Sequence, residues 1–298
     1  DGSSDLASTN VVTDFDLAND IISLVTLLYS ELTIEQGSGD NQSDTLIKIT
    51  SSGEYIYILS NTSASDLSAI NFSSNSTASQ TINGTSGDDI LVGANGNDTF
   101  NGGAGSDSIY GQGGNDSINI SDKTGSYLDL IDGGSGTDAL SISYSGISNL
   151  GDFVISTEDA YTVLTDSNNG VIKYKSIENL TVGSYAYTED VDANTFWNSS
   201  EYVLYMYDGG NTSSSDILQL SGFSASSDLT VKGSSSSDSM NLNIDRSSDL
   251  TGSLNLNMGA GDDNFYSTKL KNGDSVDTGS GDDYIALMLS GTNGTPTI

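Results

Sequence analysis

Aspartate recurs at a fixed spacing of nine residues: Asp89, Asp98, Asp107 and Asp116. Each stands in a unit that opens on glycine (Gly84, Gly93, Gly102, Gly111). A second glycine follows three residues later (Gly87, Gly96, Gly105, Gly114), and a large apolar residue comes two after the aspartate (Leu91, Phe100, Ile109, Ile118). The units GTSGDDILV, GANGNDTFN, GGAGSDSIY and GQGGNDSIN run without a gap from Gly84 to Asn119. Carboxylates stacked in rows repel one another. A hard cation held by those carboxylates and by backbone carbonyls of the turns resolves the repulsion, and an oxygen-only donor set suits Ca²⁺.

Such a period also dictates the elements that must carry the carboxylates. Nine residues make one tight turn and one very short strand. Two units make one coil of a right-handed parallel β-roll, so that like positions stack at strand spacing. Glycine is expected to supply a positive φ in the turns. The apolar residue at the eighth position faces inward and forms a thin core. A Gly/Asp-rich linker has no reason to keep an apolar residue at every ninth position.

These units resemble the RTX (repeats-in-toxin) nonapeptide, Gly-Gly-x-Gly-x-Asp-x-apolar-x. The resemblance implies a calcium-binding β-roll and export by type I secretion. The second glycine of that pattern is kept only at Gly103, with Thr85, Ala94 and Gln112 at the other units. After Asn119 the register breaks for 13 residues and resumes as Gly133-Gly-Ser-Gly-Thr-Asp-Ala-Leu-Ser141. That unit adds Gly133, Gly136 and Asp138 to the candidate metal ligands, with Asp132 directly before it. The insert 120–132 is expected to widen one coil rather than end the roll.

Composition sets limits on function. Asp and Glu number 41 against 8 Lys and Arg, a net charge of −33 over 298 residues. A chain this acidic repels itself when metal-free, and it repels nucleic acid and anionic membranes. With no Cys and no His there is no disulfide, no thiolate or imidazole metal site, and no histidine-based triad. No run approaches the ~18 apolar residues of a membrane span. The chain opens on Asp1 without a visible signal peptide, which reads as a processed product or a fragment of something larger.

Residues 1–80 form a first unit. Its head, Val12 to Leu24, and its end, Ser65 to Phe72, resemble the segment that closes an RTX roll, which would place an earlier RTX block before Asp1. A generic β-hairpin is the other reading. Strands are expected at 32–34, 45–50 and 55–59, while 22–30 fits either a short helix or a strand. Residues 81–141 are the RTX block. Residues 142–232 hold Tyr161, Tyr174, Tyr185, Tyr187, Tyr202, Tyr205 and Tyr207 with the single Trp197. Strands are expected there at 153–155, 161–164, 171–174, 177–182, 202–207 and 216–220. The aromatics read as inward ladders, or as a face for glycan or a neighbouring subunit. Its Gly-Thr-Asp-Ala-Leu and Ser176–Val182 segments resemble rungs of bacterial S-layer and large RTX surface proteins.

Residues 233–298 return to repeats at wider spacing. Asp238 in the degenerate unit Gly233 to Asn241, and Asp263 and Asp283 in Gly-x-Gly-Asp-Asp turns, stand at gaps of 25 and 20 residues, with strands at 240–244 and 254–258 between them. That implies a parallel β-helix in which Asp263 and Asp283 bind Ca²⁺. The end of the chain lacks a cap, which suggests further rungs or an adjoining subunit.

The fold class is therefore all-β: a right-handed parallel β-roll/β-helix solenoid with calcium-binding nonapeptide turns. The leading function is an extracellular, cell-surface calcium-binding structural protein, folded by several Ca²⁺ ions and assembled into an S-layer-like array by self-association or with neighbouring subunits. The alternatives are an RTX adhesin segment that binds glycan or a surface, and the secretion module of a type I secreted enzyme. Catalysis within the chain is not expected. The adjacent pairs Glu158/Asp159 and Glu189/Asp190 point to opposite faces of a strand and make poor acid/base couples.

Overall fold

The computed structural model describes residues 6–24, 27–68, 71–190, 192–212, 220, 222–242 and 248–289. Among these the regular elements are strands and 3₁₀ turns, with no α-helix. The architecture is a β-roll/β-helix solenoid. The chain divides into two compact units, 1–121 with 129–139, and 122–128 with 140–298.

The first unit holds the nonapeptides. Each contributes a strand of three or four residues: Ile90–Val92, Thr99–Asn101, Ser108–Tyr110 and Ser117–Ile120. Alternate units fall on opposite sides of the coil, so each strand pairs in parallel with the one two units away. Phe100 lies between Ile82 and Ile118, and Ile109 between Leu91 and Ile131. Side chains alternate across a strand, so the eighth position always faces inward, and Leu91, Phe100, Ile109, Ile118 and Ile131 are all buried. Each contributes about 1.5–3 kcal/mol by leaving water. The outward ninth position forms a side-chain ladder, Asn119 Nδ2 donating to Asn101 Oδ1 (3.1 Å) and Asn101 Nδ2 to Asn83 Oδ1 (2.6 Å).

Ahead of the roll, Leu32–Gln36, Thr45–Ile49 and Tyr55–Leu59 form an antiparallel meander, joined in parallel by Asn10–Val12. Ile22–Leu24 pairs in parallel with Phe72–Ser74. The ambiguous stretch 22–30 therefore begins as a strand, and Tyr29–Glu31 is a 3₁₀ turn. Ile47, Leu59 and Phe72 centre a small core here.

The second unit departs from a purely parallel solenoid. Phe153–Glu158, Tyr161–Asp166 and Val171–Lys175 are antiparallel neighbours. So are Asn179–Val182, Tyr185–Asp190, Thr195–Asn198 and Val203–Met206. Asn179–Val182 stacks beside the strand Ala139–Ile142, as the rung expected from Ser176–Val182 requires, and opens this meander on its other edge. The connections are too short for a parallel crossover, and several turn through residues with positive φ such as Asp159, Asn169 and Asn194. Most of the aromatics do face inward: Trp197, Tyr174, Tyr187, Tyr205 and Tyr207 are buried. The strand expected at 216–220 lies almost wholly outside the described residues, as does the end of that at 240–244.

From Val203 onward the pairing is parallel again. Leu229–Lys232, Leu254–Asn257 and Ser275–Asp277 stack on one side, and Asn211–Thr212, Ser239–Leu242, Asn264–Leu270 and Tyr284–Leu289 on the other. Leu229, Val231, Met240, Leu254, Leu256 and Phe265 fill the interior.

Candidate metal centre

The turn aspartates stand in files, one per coil, and each is locked to the coil before it. Gln80 N–H donates to Asp98 Oδ1, Asp98 N–H to Asp116 Oδ1, and Asp116 N–H to Asp138 Oδ1, each at 2.8 Å. On the opposite edge Asp89 N–H donates to Asp107 Oδ1 (3.1 Å) and Asp107 N–H to Asp129 Oδ1 (2.9 Å). The step lengthens from 18 to 22 residues across the insert on both edges, so the insert widens a coil without breaking either file. A third file runs through the wider coils: Asp238 N–H donates to Asp263 Oδ1 (2.8 Å) and Asp263 N–H to Asp283 Oδ1 (3.1 Å). A second ladder runs the other way, one residue earlier. The Asp88 side chain accepts from Ser106 N–H, Asn97 from Asn115 N–H, and Asn115 from Thr137 N–H.

The second carboxylate oxygen turns back into its own unit. Asp89 Oδ2 accepts from Thr85 N–H (2.6 Å), and Asp98 Oδ2 from Ala94 N–H (2.9 Å). Asp116 Oδ2 and Asp263 Oδ2 are buried and accept no hydrogen bond. Burial of these charges is unfavourable. Desolvation, together with the neighbouring Asp138 and Asp98 charges, raises the Asp116 carboxyl to about 7. Desolvation likewise raises Asp238 to about 6 and pushes Asp263 upward.

The glycines act mainly by close approach. A Cβ on Gly93 would lie 2.6 Å from Asp98 Oδ2 and 2.7 Å from Gly111 O. On Gly111 it would lie 2.3 Å from Asp116 Oδ2 and 2.2 Å from Gly133 O. Gly84 faces Asp89 Oδ2 and Gly102 O in the same way, and Gly102 faces Asp107 Oδ2. The glycines at the fourth position stack backbone on backbone, Gly105 on Gly87, Gly114 on Gly96 and Gly136 on Gly114. The expected positive φ holds at Gly105, Gly114 and Gly136 but not at Gly84, Gly87, Gly93, Gly96, Gly102, Gly111 or Gly133. At the first position the need is space beside a carboxylate and the carbonyl of the next coil, not a left-handed backbone.

This donor set fits a hard cation. At Gly84, Gly93, Gly102 and Gly111 a carboxylate Oδ2 meets the space a methyl group would fill, and at Gly84, Gly93 and Gly111 a carbonyl from the next coil does too. The buried Asp116 Oδ2 and Asp263 Oδ2 accept no hydrogen bond. Among the described residues no three acidic side chains converge on one point, so backbone carbonyls must supply the rest of the shell, as oxygen coordination of Ca²⁺ allows.

Asp89, Asp98, Asp107, Asp116 and Asp138 stand in the two files of the roll, and Asp263 and Asp283 in the third. Asp132 does not join them. It ends the strand Leu128–Asp132, and its Oδ1 accepts from Gly134 N–H (3.2 Å). Two file members were not among the expected ligands. Asp129 carries the 107 file onward, and Asp238 starts the third; both are fully buried. Asp129 had a readable signal in Gly125 and Ile131, the second and eighth positions of a degenerate unit, although Thr124 and Tyr127 stand at its first and fourth positions.

Residues 81–118 match the family model of the RTX calcium-binding nonapeptide repeat, in four copies. The chain carries an RTX nonapeptide block. Its RTX block is thus a calcium-binding element, and RTX repeats are typical of secreted proteins. Among the described residues no helix is long and apolar enough to cross a membrane. No curated protein sequence matches this chain. Among solved structures, the extracellular lipase LipA from Serratia marcescens is similar at 16% identity and a TM-score of 0.22, covering 80% of this chain. The match spans 37% of that lipase's length.

Proposed function

We propose that this RTX chain is an extracellular structural module that calcium folds and that assembles into an S-layer-like array at the cell surface after type I secretion. The observation that carries the calcium part is the buried Asp116 Oδ2, unpartnered in a file of like charges and facing the space beside Gly111. The proposed ligands are the carboxylates of Asp89, Asp98, Asp107, Asp116, Asp129 and Asp138, with Asp238, Asp263 and Asp283 in the wider coils. Bound calcium supplies the positive charge that these files lack. The chain's own residues do the rest: Oδ1 of each aspartate clamps the previous coil, and the glycines keep the space beside Oδ2 open. Binding free energy is then folding free energy.

Assembly is supported by exposed aromatic surface. Tyr266 and Tyr284 lie on adjacent coils with ring centroids 5.7 Å apart, and both are exposed. Exposed aromatic residues favour interfaces. The proposed role is structural rather than catalytic.

Circular dichroism with a calcium titration tests the folding claim. A reduced β signal in chelator and a cooperative gain with calcium are expected, and an unchanged spectrum in excess chelator overturns it. Negative-stain microscopy of the calcium-loaded chain tests assembly. Sheets or filaments support an array, and monodisperse particles argue for an adhesin segment or a secretion module instead.

A further inference from the structure

The strand Phe153–Glu158 ends its sheet, with Tyr161–Asp166 on one side only. In an antiparallel pair alternate residues bond across to the neighbour, and those between them point away. Thr157 N–H donates to the Asp208 carboxylate and Phe153 N–H to Leu150 O, so Phe153, Ile155 and Thr157 are the residues that point away. Ile155 turns both its N–H and its C=O to the open edge, and neither has a partner among the described residues.

A cavity of about 300 Å³ opens at this edge, lined in part by Phe153, Val154, Ile155, Met206 and Lys232. Phe153 and Met206 are buried, whereas Val154 is 63% exposed. Lys232 is exposed, its Nζ 5.0 Å from the Tyr205 centroid and 3.4 Å from where a Cβ on Gly151 would lie. The neighbouring Asp152 is committed to its own turn, Oδ2 accepting from Ser148 N–H (2.7 Å), Ser148 Oγ–H (2.8 Å) and Asn149 N–H (3.1 Å). Open main-chain groups, an apolar wall and a cation suit an extended peptide that adds a strand and carries a carboxylate.

The first unit offers such a strand. Asn10–Val12 ends its own sheet and pairs in parallel with Tyr55–Leu59. Val12 C=O accepts from Ser60 N–H (2.8 Å), so Val11 points its N–H and C=O outward. Val11 is 55% exposed. Just past the strand, Asp14 is exposed and makes no hydrogen bond or ion pair among the described residues.

We propose that the edge Asn10–Val12 of one copy of the chain adds antiparallel to the edge of Phe153–Glu158 in the next. Joining the open groups of Val11 to those of Ile155 fixes the register. Val12 then stands opposite Val154, Asn10 opposite Ser156, and Asp14 opposite Asp152, at the Lys232 end. Parallel addition would carry Asp14 toward the Asp208 carboxylate instead. Val11 packs on the face shared by Phe153 and Ile155, and Asp14 brings a carboxylate to Lys232. In a chain with 41 acidic and 8 basic residues, that charge match is selective. The contact is heterologous, so repetition that does not close into a ring grows an open filament. This inference rests on the reading of the chain as a self-assembling module and names its contact.

The chain has no cysteine, so cross-linking of the calcium-loaded full chain tests it. Asn10 and Ser156 form a non-hydrogen-bonded pair in this register, where Cα atoms come close enough for a disulfide. Equal amounts of Asn10→Cys and Ser156→Cys, mixed under mild oxidation, should give mixed dimer well above random pairing. Lys232→Asp in the Ser156→Cys chain should cut its yield roughly tenfold, and Asp14→Lys in the Asn10→Cys chain should restore it. Each variant is checked for an unchanged circular-dichroism spectrum. Exchange of the Val11 and Ile155 amides, slowed on association of the wild type, reads the same contact without substitution. Random pairing, a yield indifferent to Lys232→Asp, no rescue by Asp14→Lys, or unslowed exchange overturns the contact. Sheets or filaments that persist in Lys232→Asp overturn it too and leave the array reading standing. Specific cross-linking by a wild type that forms only short oligomers upholds the contact and counts against the array.

Discussion

The backbone N–H of Asp98 donates to Oδ1 of Asp116, 18 residues further on, at 2.8 Å. One oxygen of Asp116 therefore belongs to the fold and the other, Oδ2, faces a space without a hydrogen-bond donor. The two oxygens separate in mutagenesis. Asp116→Asn keeps a carbonyl oxygen for Asp98 N–H but removes the charge. Its metal-free stability should be unchanged or higher, with a weaker calcium response. Asp116→Ala removes both functions and strands a buried N–H, at a cost of about 1–3 kcal/mol. Urea melts with and without calcium read both effects. Equal calcium-induced stabilisation of wild type and Asp116→Asn would remove Asp116 from the ligand set.

Stability of the metal-free chain should depend on pH in an unusual direction. The Asp116 carboxyl is raised from 3.8 to about 7 in the fold, and Asp238 from 3.8 to about 6. Between the unfolded and folded values the fold binds more protons than the unfolded chain, so these groups make stability fall as the pH rises. Their contribution is complete near pH 4 and is lost through about pH 7 for Asp116 and about pH 6 for Asp238. Calcium competes with the same protons, so its affinity should rise over that range. Melts in chelator should give a higher Tm near pH 5 than near neutrality, and Asp116→Asn should flatten the slope. A Tm that climbs toward neutral pH for wild type and variant alike contradicts the assignment.

Glycines that look alike in the repeat should respond differently. A Cβ on Gly111 meets Gly133 O and Asp116 Oδ2 within 2.3 Å, and one on Gly96 meets Ala78 O at 2.5 Å. A Cβ on Gly87 meets nothing nearer than Thr85 Oγ1 at 3.8 Å. Gly111→Ala and Gly96→Ala should cost about 1–3 kcal/mol through overpacking. Gly87→Ala should be neutral or stabilise by about 0.5 kcal/mol, since its φ is not left-handed. Thermal melts in calcium separate the three, and a comparable loss at Gly87 would contradict the account of close approach.

That contrast shows where the sequence stops being informative. The nine-residue period makes the strands, the inward eighth position and the aspartate files readable, because each follows from local spacing. Whether Gly87 and Gly96 differ depends on which backbone lies next to each, and no local pattern carries that. Asp129 enters its file with Thr124 and Tyr127 where the first- and fourth-position glycines would stand, since the widened coil supplies its position from outside the repeat. In the second unit Tyr185–Asp190 and Thr195–Asn198 were missed. Their polar and aromatic residues do not alternate, and the turns that make them antiparallel rest on left-handed residues such as Asn194 and Tyr202. Thr162, Tyr174 and Tyr207 likewise hydrogen-bond Glu189 only through cross-strand register, which no local pattern carries.

Gln112 departs from the repeat in a way the fold explains. It holds φ 71°, where the equivalent Gly103 and Gly134 hold 85° and 93°. Its amide closes on the strand Phe72–Ser74, Oε1 accepting from Ser74 N–H (3.1 Å) and Nε2 donating to Phe72 O (2.9 Å). The strain of a left-handed glutamine is thus offset by two hydrogen bonds that seat the strand against the repeat turn. Gln112→Gly relieves the backbone and removes both bonds. Overall melting should change little, while the Ser74 amide should exchange with solvent at least about fivefold faster. Gln112→Glu keeps the acceptor for Ser74 N–H but sets a carboxylate against Phe72 O, so it should free the same strand without relieving the strain and should melt lower than Gln112→Gly. Hydrogen exchange at residues 72–74 decides the matter. Protection that is unchanged in both variants would mean the strand is held by its pairing with Ile22–Leu24 alone.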